Sequence, residues 1–87
     1  MVEKSFIVMN PTGIHARPAK KIVEAAKLCS GAVLLEKDDK KVSAKSLVNV
    51  LAIGAKHGDT VTVSAEGDQA EAAIEAIGTV FAAVEVH

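Results

Sequence analysis

Between residues 60 and 84 the hydrophobic pattern of the chain changes period, and that change narrows what it can fold into. In "TVTVSAEG" (60–67), Val61, Val63 and Ala65 alternate with Thr60, Thr62 and Ser64, as in a strand with one buried face. From Ala70 the spacing becomes three and four: Ala70, Ala73, Ile74, Ile77, Phe81 and Val84 make one continuous helical stripe. Asp68 and Glu71 form a capping-box-like pair at its start. Gly78 interrupts the stripe as a local weakness, costing roughly 1 kcal/mol relative to alanine.

The same two periods recur upstream. "KSFIVM" (4–9) reads as a strand, with Phe6 and Val8 inward, and "NPTG" (10–13) ends it. Ile7 and Met9 then face outward, as contact residues or simply as an apolar strand. A helical pattern runs from Ala16 to Leu28, with Ala16, Ala19, Ile22, Val23 and Ala26 on one face, and Ser30-Gly31 is expected to end it with a left-handed glycine cap. "AVLLEK" (32–37) and "KKVSA" (40–44) read as a hairpin turning at Asp38-Asp39, without the usual glycine. "SLVNVLAIG" (46–54) reads as a short helix with Ser46 as N-cap and Gly54 as stop. The order is βαββαβα. It implies an α+β fold in which helices pack on one face of a mainly antiparallel four-stranded sheet, leaving the other face open and polar.

With 87 residues there is room for one small domain spanning 1–87, and 49% hydrophobic residues suffice for a core. Phe6 and Phe81 are the only aromatics, so that core is aliphatic. So short a chain has little space for a deep catalytic pocket, which favours a binding or carrier module over an enzyme. One cysteine, Cys29, excludes an intrachain disulfide and reads as a half-buried packing residue. The absence of a signal peptide or long apolar run points to a cytoplasmic protein without membrane insertion.

Charge is unevenly spread. Residues 1–56 hold all 10 basic and 5 of the 11 acidic residues, net +5, whereas residues 57–87 hold the other six acidic residues and no Lys or Arg, net −6. A basic face suits acidic partners. Nucleic acid is not expected, because no aromatics interleave with the basic residues. No cluster has metal-ligand spacing, no cofactor motif is present, and His57 and His87 belong to no motif.

One stretch carries chemistry: "GIHARPA", residues 13–19. His15 falls at the N-cap of the first helix and Pro18 within its first turn, where a missing N–H breaks no intrahelical bond. The amides of Ala16 and Arg17 then face outward at the positive end of the helix dipole. Arg17 adds a planar fork of donors suited to a phosphoryl group. A histidine nucleophile at an anion site can take a phosphoryl group and later act as leaving group. No Walker-type loop is present, so the group has to come from another protein. On spacing alone, a polar cap beside a solvated arginine remains open.

"TGIHARPA", "SAKSL" (43–47) and "VTVSAEG" (61–67), together with length and element order, resemble HPr, the phosphocarrier family of the bacterial phosphoenolpyruvate:sugar phosphotransferase system. The resemblance covers almost the whole chain. It implies an open-faced β-sandwich and a monomeric, cytoplasmic carrier that turns over only with partner enzymes. His15 would accept the phosphoryl group on Nδ1 from phosphorylated enzyme I and pass it to a sugar-specific enzyme IIA. Arg17 would bind the phosphoryl group, Ala16 would supply a backbone donor, and Pro18 would shape the helix start. Ser46 matches the regulatory serine of the family, with an HPr kinase/phosphorylase and a catabolite-control transcription factor as the partners this implies. Lys20, Lys21 and Lys27 would dock acidic partner surfaces, and Leu47, Val48 and Leu51 would form an apolar docking patch, although core packing at that spacing stays open. Asn49 stands where many relatives have Gly and Val48 where many have Met, which bears on partner choice. The alternatives are an HPr-like regulator acting through phosphorylated Ser46 and the carrier of a nitrogen-regulatory phosphorelay. A small hydrolase is disfavoured, since no partner base lies near the motif.

Overall fold

The computed structural model describes residues 1–11 and 13–83. Val84 and His87 therefore lie outside the described residues. The elements are β1 (Val2–Ile7), α1 (Ala16–Ala26), β2 (Val33–Lys37), β3 (Lys40–Ser43), α2 (Leu47–Ala52), β4 (Thr60–Ala65) and α3 (Ala70–Ala82). The strands form one sheet in the order β1-β4-β2-β3, antiparallel at every pairing. Helix α3 packs on β1 and β4, α1 packs on α3, and α2 lies beside α1 and β3.

Register explains the two faces. Phe6 pairs with Val61 and Val2 with Ala65, and these side chains turn toward the helices. Ser5 pairs with Thr62 on the open face, where their hydroxyls meet at 2.9 Å. Val61, Val63 and Ala65 are fully buried together with Ile22, Ile74 and Ile77. Burying each large aliphatic side chain contributes about 1.5–3 kcal/mol, so the aliphatic core is sufficient without a large aromatic cluster. Phe81 closes it at one end, with its ring 6.2 Å from that of Phe6.

Several boundaries differ from expectation for local reasons. Strand β1 starts and stops two residues early, because the Val8 N–H leaves the ladder for Asp59 O at 2.8 Å. Helix α1 stops at Ala26 rather than Leu28: the Leu28 and Cys29 amides reach back only three residues, to Ala25 and Ala26. Gly31 is not a left-handed cap. It is needed because a Cβ there would overlap the Glu66 carbonyl oxygen. The hairpin turns as expected, with Lys37 opposite Lys40 and Asp38 taking the left-handed conformation at φ 55°.

The capping box of α3 does not form. Gln69, left-handed at φ 68°, is the N-cap, and it makes no side-chain cap bond. Asp68 instead ties its backbone to Ser30, donating to Oγ at 3.0 Å and accepting from the Ser30 N–H at 3.1 Å. Gly78 is more than a weak point in the stripe. The ring of Phe6 lies against its Cα, where a Cβ would collide with it.

Candidate functional site

The loop from β1 to α1 carries the motif. Gly13 takes φ 76°, and a Cβ on it would sit 2.9 Å from Ala55 O, so both conformation and space call for glycine. The next amide, Ile14 N–H, donates to the same Ala55 oxygen at 2.9 Å. This pins the loop to the segment between α2 and β4. That segment is itself closed by Asp59, whose carboxylate accepts from the Lys56 N–H at 2.8 Å and lies 3.6 Å from Lys37 Nζ. The hydrogen bond from Lys56, with Lys37 nearby, holds the Asp59 carboxyl below the ordinary value of 3.8.

His15 follows as the N-cap of α1, with extended backbone and a half-buried side chain. Its carbonyl accepts from the Ala19 N–H at 2.9 Å, which starts the helix. Its imidazole makes no cap hydrogen bond. Pro18 is buried in the first turn, while Ala16 and Arg17 are exposed. The first-turn amides of Ala16 and Arg17 have no acceptor within the helix. His15, Arg17 and the helix-start amides thus share one end of α1.

Lys20 and Lys21 are exposed on the same helix, and Lys27 is exposed at its C-cap. On α2, Val50 is fully buried, whereas Leu47, Val48 and Leu51 are 41%, 75% and 40% exposed. The spacing left core packing open for these three, and they face outward. The helices that carry these two sets of residues, α1 and α2, are in contact. Ser46 is the N-cap of α2, its Oγ accepting from the Asn49 N–H at 3.4 Å, and Gly54 ends the helix at φ 67°.

Other flagged residues sit elsewhere. Ile7 and Met9 are exposed, as anticipated for the outward side of β1 and its continuation. His57 is exposed in the turn before β4. Cys29 is buried outright rather than by half, its thiol donating to Glu66 O at 3.1 Å. Among the described residues, no group of three or more His, Cys, Asp or Glu could hold a metal ion, and no helix is long and apolar enough to cross a membrane.

Two residues escaped sequence reasoning. Lys45, inside "SAKSL", donates through Nζ to Cys29 O at 2.8 Å and so supports the chain just past α1. Asn10 looked like a turn residue, yet it is buried and hydrogen-bonded across the molecule to α3. Periodicity carries no signal for either.

Residues 2–83 match the family model described as the PTS HPr component phosphorylation site. The chain is 39% identical over 77 residues to the HPr-like protein Crh of Halalkalibacterium halodurans, covering 88% of this chain and 92% of the relative. It superposes on HPr-C-His from Thermoanaerobacter tengcongensis with a TM-score of 0.86 at 42% identity, over 93% of this chain and 91% of that one. For the phosphocarrier protein HPr of Bacillus anthracis the TM-score is 0.84 at 34% identity, over 92% and 95% of the two chains. For Crh of Bacillus subtilis, described as a swapped dimer, it is 0.70 at 36% identity, over 93% of each chain. A sheet open on one face, a histidine heading its first helix and a match across nearly the whole sequence agree: the chain belongs to the HPr family of phosphocarrier proteins.

Proposed function

We propose that this chain is a phosphocarrier domain whose His15 receives a phosphoryl group from phosphorylated enzyme I and passes it to a sugar-specific enzyme IIA. The observation that carries the reading is the placement of His15. It is the N-cap of α1, with Arg17 and the helix-start amides in the turn that follows. In the first step a lone pair on His15 Nδ1 attacks phosphorus, the new N–P bond forms, and the N–P bond to the donor histidine breaks with its electron pair returning to that imidazole. Arg17 and the amides of Ala16 and Arg17 bind the phosphoryl oxygens, and the dipole of α1 favours their charge. Pro18 fixes the geometry of the first turn. The second transfer is the same displacement with His15 as leaving group.

Docking falls to the neighbouring surfaces. Lys20, Lys21 and Lys27 meet acidic partner groups, and Leu47, Val48 and Leu51 supply the apolar contact. These encounters take place in the cytoplasm, with the carrier as a monomer. Incubation with enzyme I and phosphoenolpyruvate should add one acid-labile, base-stable phosphoryl group, read by intact mass and absent from His15→Ala. Labelling that persists in His15→Ala would move the site elsewhere.

A second role is favoured by Ser46, whose hydroxyl sits at the N-cap of α2, and by the similarity to Crh. In this role an HPr kinase phosphorylates Ser46 and the modified surface meets a transcription factor. The presence of His15 separates a carrier that is also regulated from a regulator lacking the nucleophile. The His15 labelling experiment distinguishes the two.

A further inference from the structure

The loop that delivers His15 to α1 is anchored by a residue outside every helix and strand. Asn10 is only 5% exposed. Its side-chain nitrogen donates to two carbonyl oxygens at the C-terminal end of α3, Val80 O at 3.1 Å and Ala83 O at 2.9 Å. The Met9 N–H beside it donates to Phe81 O at 2.7 Å. The last carbonyls of a helix lack partners within it and form the negative end of its dipole. A neutral amide with two hydrogens reaches two carbonyls at once: Val80 O, which also accepts from the Ala83 N–H at 3.2 Å, and Ala83 O at the C-cap. On its other side the Asn10 carbonyl accepts from the Gly13 N–H at 3.0 Å, closing the turn that leads through Ile14 to His15. One residue therefore joins the end of α3 to the start of the motif.

The remaining amide atom shows what fixes this arrangement. Asn10 Oδ1 is buried and accepts no hydrogen bond. Turning the amide over would set that oxygen against two carbonyl oxygens, so the donors decide its orientation. An unmet buried acceptor is destabilising. The group is thus held where it is by what its nitrogen binds, and what it binds locates the loop.

We propose that Asn10 is a positioning residue for phosphoryl transfer: by tying the loop to the C-terminal carbonyls of α3, it sets where the His15 imidazole is presented. The inference rests on the carrier reading of His15. Because Asn10 is buried, it offers no surface to a partner, so its loss affects alignment and leaves docking alone. A displacement of about 1 Å at a reacting group lowers rates by up to about 100-fold.

The test uses Asn10→Ala, Asn10→Ser and Asn10→Asp in single-turnover phosphorylation by phosphorylated enzyme I, over a range of carrier concentrations. Hydrogen exchange at the Gly13 and Ile14 amides is measured alongside. Asn10→Ala should lower the maximal rate roughly tenfold with the half-saturating concentration unchanged, a modest share of that limit, and should speed exchange at both amides. Asn10→Ser, with one donor, should fall between it and the parent. Asn10→Asp, nearly the same shape, places a carboxylate against the α3 carbonyls. It should be slower than Asn10→Ala at neutral pH. A purely structural role gives the opposite split, because a reduced folded fraction raises the half-saturating concentration and spares the maximal rate. That split, or unchanged exchange at Gly13 and Ile14, overturns the proposal. A parent chain that takes up no phosphoryl group overturns the carrier reading instead, whereas a labelled parent with equally fast Asn10 variants overturns this inference alone.

Discussion

At the scale of single residues, glycine shows how a sequence rule and a structure part company. Gly78 sits in mid-helix, where alanine would be preferred by about 1 kcal/mol on helix propensity. The Phe6 ring occupies the place of the missing methyl group. Gly78→Ala should therefore destabilise the protein by about 1–3 kcal/mol, the usual cost of overpacking, seen as a lower urea midpoint at constant slope. A rise in stability would mean that Phe6 moves aside freely and propensity decides. The sequence could show that Gly78 was anomalous, but not why, because the cause lies on a strand some seventy residues earlier. Gly31 repeats the lesson: its backbone neighbour Glu66 is remote in sequence, and the expected left-handed cap was the only local reason available for it. The placement of His15 and Arg17 was legible for the converse reason: it depends on a helix start, which periodicity locates well, and His15 is the N-cap of α1.

At the scale of elements, caps carry the most information. Ser46 was legible because an N-cap serine, an apolar run and a stop glycine lie within nine residues, and α2 follows that pattern. The cap bond is long at 3.4 Å, so Ser46→Ala should cost little, about 0.5 kcal/mol, the low end for an N-cap. Ser46→Asp keeps a capping oxygen and adds charge favourable to the helix. It should melt within a few degrees of the parent yet accept phosphoryl on His15 more slowly, because its charge opposes an acidic partner. Melting curves and phosphorylation rates at one salt concentration separate these effects, and a fast Ser46→Asp would rule out the electrostatic coupling. The start of α3 was misread by the same rule. Asp68 and Glu71 have the spacing of a capping box, but tertiary bonds to Ser30 hold the Asp68 backbone outside the helix. Element type was thus readable throughout the chain, while boundaries yielded wherever a distant residue competed for a terminal amide.

At the scale of the whole molecule, the uneven charge of the sequence falls unequally on its two longer helices. Helix α3 carries Glu71 and Glu75 on exposed positions, and α1 carries Arg17, Lys20 and Lys21, with Lys27 at its C-cap. His15 heads α1, so in the carrier reading proposed above a partner drawn by charge to α1 would approach the end of the molecule where His15 stands. The lysines are solvent-exposed, and their pull on an acidic surface is long in range and weak at contact. Such steering acts mainly on association. Lys20→Glu combined with Lys27→Glu should raise the Michaelis constant for this carrier with enzyme I about tenfold or more at low salt, within the range that steering spans. Its effect on the maximal rate should be small, since neither lysine belongs to the motif. The penalty should shrink as salt rises, because exposed charges are screened over about 10 Å at 0.1 M. The apolar patch gives the control: Val48→Ala, on the most exposed of its three residues, should weaken docking to a similar degree at every salt concentration. If the charge-reversed carrier loses as much at high salt as at low, its defect lies in packing or folding, and the basic face of α1 does not guide partners to His15.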